Sequence, residues 1–391
     1  MANLREHWTL DPAIDYLNHG SFGACPKAVL DKQREYRDLM EREPMDFLER
    51  ECWELINDSR RTLADFIGAP PDQTAFVHNA TTGVNTVLRS LDFAPGDELL
   101  TTTHIYGACK NAMEFVAKKS GAKVVYARLP FPVESPGQAV ESIMSCVTDR
   151  TRFALIDHIT APTAMVLPVK ELTAKLQARG VEVMIDGAHA PGMTRLNMLD
   201  IGAQYYTGNC HKWLCSPKGS AFLYVREDRL EKIRPLVISH GATDSRTDRP
   251  RFQSEFCWQG TDDPTAYLCV AESIKYMEKL LPGGWDEIMR RNHELALAAR
   301  NTLCGSLEIP APCPDKMIGS MAALPLGKLP DLPPSRCFGI HPLQDLLRRE
   351  HNFEVIVNEW PAPHHAILRV SAQLYNRESQ YERLAKVLKA M

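Results

Sequence analysis

The sequence predicts an α/β fold: a large domain with a mostly parallel seven-stranded sheet between helices, then a smaller C-terminal α+β domain. Three observations carry this. Short apolar runs at 74–79, 97–103, 122–129, 152–159, 181–188, 203–208 and 220–225 read as strands. Helix-length segments separate most of them, which is the pattern of βαβ units. Beyond about residue 264 the alternation stops, and helices mix with a few strands.

In order, "PKAVLDKQREYRDLMERE" and "CWELINDSRRTLADFIGA" read as helices, the first with Pro26 near its start and the second closing on Gly68. The crossover helices are "GVNTVLRSL", "YGACKNAMEFVAKKSG", "GQAVESIMSCVT" and "VKELTAKLQARG". Only the runs 203–208 and 220–225 lack a helix between them, so that pair is expected to be antiparallel. "DDPTAYLCVAESIKYMEKL" reads as a long helix, and the Pro-rich "LPLGKLPDLPPSR" (324–336) as a loop. A helix ("HPLQDLLRRE"), two strands ("FEVIVNEW", "HAILRVSAQ") and a last helix complete the chain. The expected division is 1–25, an N-terminal segment; 26–265, the large domain; and 266–391, the small domain.

Of the 391 residues, 44% are hydrophobic and 24% charged, which is ordinary globular composition. Net charge is −4 with no long run of one sign, so electrostatics give no argument for nucleic acid or membrane. No stretch is apolar and long enough for a signal peptide or a membrane span. The eleven cysteines are scattered, without a CxxC pair or a second pair to complete a zinc site around Cys210 and Cys215. A cytoplasmic protein with reduced thiols and no metal is expected.

In an open parallel sheet, ligands collect at the carboxyl ends of the strands. There the sequence places Asn79, Thr81, Thr82 and Gly83; His104 and Tyr106; Asp186 and His189; and Asn209, His211 and Lys212. Thr81, Thr82 and Gly83 open a helix, which suits a phosphate, though a plain N-cap accounts for them alone. Asp186 is either a turn residue before Gly187 or a functional carboxylate. Lys212 lies between two buried-looking strands: it either reaches solvent or bonds to a carbonyl. Together these groups describe a site for pyridoxal 5'-phosphate, whose aldehyde needs a lysine and whose ring nitrogen needs a carboxylate.

The motifs "YLNHGSFGACP" (16–26), "NATTGVNTVLRSL" (79–91), "DGAHAPG" (186–192), "GNCHKWLCSPKGSAFLYV" (208–225), "QGTDDPTAYL" (259–268) and "LRVSAQLYN" (368–376) span nearly the whole chain. With them the sequence resembles the class V aminotransferase family of pyridoxal phosphate enzymes, fold type I. Within it, the chain is most similar to the isopenicillin N epimerase-like and cysteine C–S lyase branch. The resemblance implies that Lys212 would bond to the cofactor aldehyde and shuttle the Cα proton. Asp186 would pair with the ring nitrogen, His189 would contact the phenolic oxygen, and His104 would stack on the ring. Thr81, Thr82 and Gly83, with Asn209 and His211, would hold the phosphate. Thr261 would reach the phosphate of the partner protomer in a homodimer. Arg369 would clamp the carboxylate of an amino-acid substrate, with Asn18 of the N-terminal segment nearby. Lys218 reads as structural.

The family's desulfurases carry a nucleophilic cysteine shortly before this arginine. Here that segment is "NEWPAPHHAILRV", without cysteine, which disfavours persulfide chemistry. His364 and His365 read as loop residues. Aminotransfer is also disfavoured, since this branch mostly does other chemistry. Epimerisation at Cα and β-elimination of a cysteine conjugate or sulfoxide stand level. A cofactor-free binding scaffold is argued against by Lys212, Asp186 and Thr82. Arg246, Arg249 and Arg251 in the loop 240–258 offer a distal carboxylate site or, more simply, solvated charge.

Overall fold

The computed structural model describes residues 4–391 apart from 247, 330, 331, 333, 338 and 363. The chain begins with β1 (Asp15–Tyr16) and a one-turn helix, His19–Phe22. Helices Lys27–Arg42 and Cys52–Ile67 follow, the second closed by Gly68 in the left-handed conformation.

All seven predicted runs are strands of one sheet: β2 (Thr74–Val77), β3 (Glu98–Thr102), β4 (Lys123–Ala127), β5 (Thr151–Asp157), β6 (Glu182–Asp186), β7 (Tyr205–Asn209) and β8 (Ala221–Val225). Their spatial order is β2-β8-β7-β6-β5-β3-β4. Strands β3 to β7 are mutually parallel, with helices Gly107–Ser120, Pro136–Met144 and Val169–Gln177 among their crossovers. The link 210–220 is too short for a helical crossover, so β8 runs antiparallel to β7, and also to β2.

Helices cover both sheet faces, so the strands are apolar on both sides. Leu99, Phe153, Leu155, Met184 and Leu223 pack on one face, and Leu100, Ala154, Ile156, Ile185 and Phe222 on the other. Helix Ala80–Ser90 comes close enough to β7 that a Cβ on Gly83 would collide with the Thr207 hydroxyl.

The small sheet holds β9 (Met321–Lys328), β11 (Ile356–Glu359) and β12 (His365–Ser371) in the order β11-β12-β9, all antiparallel; β10 (Phe353–Glu354) pairs instead with β1. Residues 324–328, expected as loop, are therefore strand. Pro325 sits where β-sheets tolerate proline, on an edge strand and beside a register shift opposite Ala366 and Ile367. The rest of that stretch includes 330, 331 and 333, outside the described residues. Residues 251–257 of the expected loop 240–258 form the helix Arg251–Cys257. A 24-residue helix, Gly284–Leu307, packs on the C-terminal helix Glu378–Ala390 and was not foreseen.

Candidate active site

A cleft of about 510 Å³ opens at the carboxyl ends of β5, β6 and β7, lined by Asp157, Asp186, His189, Asn209, His211 and Lys212 among others. The sheet topology explains this clustering, because the parallel strands deliver their last residues to one edge.

The turn carrying Lys212 is held from several sides. Gly23 packs so closely on it that a Cβ there would collide with the His211 carbonyl, and its φ of +70° is one few other residues adopt. The imidazole of His19 lies 2.9 Å from the Lys212 carbonyl and 2.8 Å from the Tyr375 hydroxyl. Lys218 donates to the Gly23 carbonyl at 3.0 Å, so it serves the fold rather than the cleft. Lys212 Nζ itself lies 3.3 Å from His189 Nε2. Burial, and then the neighbouring Arg369 charge, lower Lys212 to about 7. Burial and the same two cations keep His189 well below the usual histidine range, so it is a neutral imidazole.

Helix Ala80–Ser90 brings its N-terminus to the cleft. Asn79 caps the Thr82 N–H at 2.8 Å, and Asn209 accepts from the Ala80 N–H at 2.8 Å. This leaves the Thr81 N–H without a partner among the described residues, beside the Thr81 and Thr82 hydroxyls. His211 donates Nδ1–H to the Ser220 carbonyl at 2.9 Å, which fixes its ring at the same end. Gly83 does not line the cleft. It permits the close approach to Thr207 that sets the helix there.

Asp186 ends β6, buried, and accepts from the Ala188 N–H at 2.9 Å and the Cys109 thiol at 3.2 Å. Arg369, on β12, is buried without a carboxylate partner among the described residues. It donates to the Ala161 carbonyl and, at 3.3 Å, to Ser21 Oγ, while its Nε has no partner among the described residues. Burial lowers it to about 10, so it stays charged near neutral pH. Such a cation calls for an anionic ligand. Asn18 does not line the cleft; it accepts from Ser21 Oγ at 2.7 Å and so orients the group that meets Arg369.

The structure differs from the sequence expectation at His104. Its ring is fully buried, with Nδ1 2.9 Å from the Thr163 hydroxyl and edge-on contacts to Trp360 and Phe131. It does not line the cleft, whereas Tyr106, two residues on, does. Trp360 belongs to the segment that lacks the desulfurase cysteine, and its ring packs edge-on against His104 and Phe131. Thr261 is exposed and lines an adjacent cavity of about 350 Å³ that shares Thr82 and Leu236 with the cleft. Arg246 pairs with Asp244 and Arg251 with Glu255, and Arg249 stacks on Trp53, so none of the three enters the cleft. Sequence reasoning passed over Asp157, Ser21 and Ala161. Asp157 carried the same signal as Asp186, a carboxylate closing an apolar strand.

The site thus gathers an amine that titrates near pH 7, buried carboxyls, a helix N-terminus with two hydroxyls and, behind the cleft lining, a buried guanidinium without a carboxylate partner among the described residues. A model of the family described as Aminotransferase class-V matches residues 16–320. An isopenicillin N epimerase of Amycolatopsis lactamdurans is 35% identical over 404 residues, covering 100% of this chain and 98% of that protein. A probable chloroplastic L-cysteine desulfhydrase of Arabidopsis thaliana is 31% identical over 408 residues, covering 97% of this chain and 83% of that protein. Among solved structures, a cystine C–S lyase in complex with its product cysteine persulfide matches with a TM-score of 0.79 at 20% identity, covering 96% of this chain and 97% of that one. A cysteine desulfurase from Thermococcus onnurineus NA1 matches with a TM-score of 0.77 at 20% identity, covering 99% and 96%. The structural likenesses speak for the fold, and the sequence matches for the kinship: the chain belongs to the class V aminotransferase family.

Proposed function

We propose that this enzyme uses pyridoxal 5'-phosphate to remove the Cα proton of an amino acid and, from cysteine or a cysteine conjugate, to expel the β-sulfur. The cofactor fits the residues present. Lys212 supplies an amine that gives up its proton near pH 7 for its aldehyde, Asp186 a carboxyl for its ring nitrogen, and Thr81 and Thr82 donors for its phosphate, at the end of the cleft where His211 is fixed. The relatives named L-cysteine desulfhydrase, and a C–S lyase variant solved with glycine covalently linked to its PLP cofactor, support the same assignment.

When bound, the cofactor withdraws electrons from the substrate's Cα, so that the Cα proton becomes acidic. Arg369 binds the substrate carboxylate, using the Nε–H that has no partner among the described residues, while Ser21 and Ala161 hold the rest of the guanidinium in place. Lys212 Nζ takes the Cα proton and returns one to the departing sulfur. His189 orients Nζ. Tyr106, which lines the cleft where His104 does not, would be the group of that loop beside the ring.

The observation that favours elimination is that His104 does not line the cleft. One base suffices to expel sulfur, whereas inversion at Cα needs a second acid on the opposite face. The Tyr106 phenol in the cleft, and the epimerase relatives, support epimerisation as the second reading. L-cysteine and an S-alkyl cysteine, incubated separately in heavy water, distinguish them. Pyruvate and ammonia are expected from both, with sulfide from L-cysteine and a thiol from the S-alkyl cysteine. A D-amino acid deuterated at Cα, without pyruvate, would establish the epimerase instead.

We also infer a cytoplasmic homodimer in which Thr261 reaches the partner's phosphate site. Leu236, Val237 and Ile238 form an exposed apolar run beside the cleft and the Thr261 cavity, which a partner would cover. All eleven cysteines are free.

A further inference from the structure

We propose that Asp157 and Asp186 act as one carboxyl pair toward the cofactor's ring nitrogen, Asp186 carrying the charge and Asp157 holding the pair's one proton. This rests on the placement of the ring nitrogen at Asp186. Asp157 ends β5 as Asp186 ends β6, and the two are register partners in adjacent parallel strands. Such strands lie about 4.8 Å apart, and register partners point to the same face. It is the face on which Phe153, Leu155 and Met184 meet helix Gly107–Ser120, which also carries Cys109. Both carboxyls are buried, and both line the cleft.

Their partners differ. Asp186 has both oxygens occupied, by the Ala188 N–H and the Cys109 thiol. Asp157 Oδ2 is buried without a partner among the described residues. Two buried carboxylates this close do not both ionise. Burial and then the Asp186 charge push Asp157 well above the usual carboxylate range. Burial raises Asp186 too, but the Ala188 amide, Cys109 and Lys212 pull it back. The shared proton therefore resides on Asp157, and Asp157 is the reserve: with Asp186 neutralised, it releases that proton and takes over the charge.

A double-mutant cycle tests this. Wild type, Asp157→Asn, Asp186→Asn and the double variant are dialysed as holoenzymes against graded pyridoxal 5'-phosphate, and bound cofactor is read by its absorbance. Asp186→Asn is expected to loosen the cofactor about tenfold when Asp157 is present and about a hundredfold or more when it is not. Equal loosening in both backgrounds overturns the pair. No loosening in either overturns the placement of the ring nitrogen at Asp186. Should the double carboxamide fail to fold, Asp157→Ser with Asp186→Asn supplies the same comparison.

Discussion

Lys212 loses its proton near pH 7 because burial and the Arg369 charge disfavour the ammonium. In an unfolded chain the same amine titrates near 10.5. Between these values the unfolded chain binds more protons than the folded one, so this group makes apo-protein stability rise with pH across that window. Lys212→Met removes the penalty. Its apo form is expected to melt above wild type at pH 7, with the gap closing toward about pH 10. A gap that is absent, or grows with pH, contradicts the buried amine. At Arg369, exchange for lysine loses the planar fork and should raise the substrate KM roughly 100-fold while the cofactor Kd holds. Parallel losses in both constants would mean the arginine supports the fold rather than the substrate. Lys212, Asp186 and Arg369 were legible in the sequence because each is a charge within an apolar strand or beside one. The choice between His104 and Tyr106 was not, because two ring side chains on one loop look alike until the Thr163 hydroxyl and Trp360 claim one of them.

The elements that matter most are those pressed against the Lys212 turn and the phosphate end. Gly23→Ala drives a methyl group into the His211 carbonyl and strains a left-handed backbone, at a cost of about 3 kcal/mol. Unfolding by urea should show that loss, together with weakened cofactor binding; a neutral variant would mean that the N-terminal segment is not seated on the turn. The seven strands of the large sheet were readable because each is a short apolar run with turn residues at both ends. The small domain was harder. Pro325 disguised an edge strand, and helix Gly284–Leu307 lay in a stretch without a motif to draw attention to it.

At the scale of the whole molecule, one protomer leaves Thr261 exposed beside a cleft to which its cavity is joined. If each site borrows the partner's Thr261, mixing inactive Lys212→Ala with phosphate-weakened Thr261→Ala restores one complete site per hybrid dimer. Activity after subunit exchange should then rise to roughly a quarter of wild type at low cofactor. Activity no greater than the sum of the two parents would place Thr261 outside the partner's site. All of this chemistry depends on one amine, that of Lys212. Borohydride reduction of the holoenzyme followed by peptide mass mapping is expected to place the pyridoxyl phosphate label on the peptide at Lys212; a label on Lys218 or on no lysine would overturn that role.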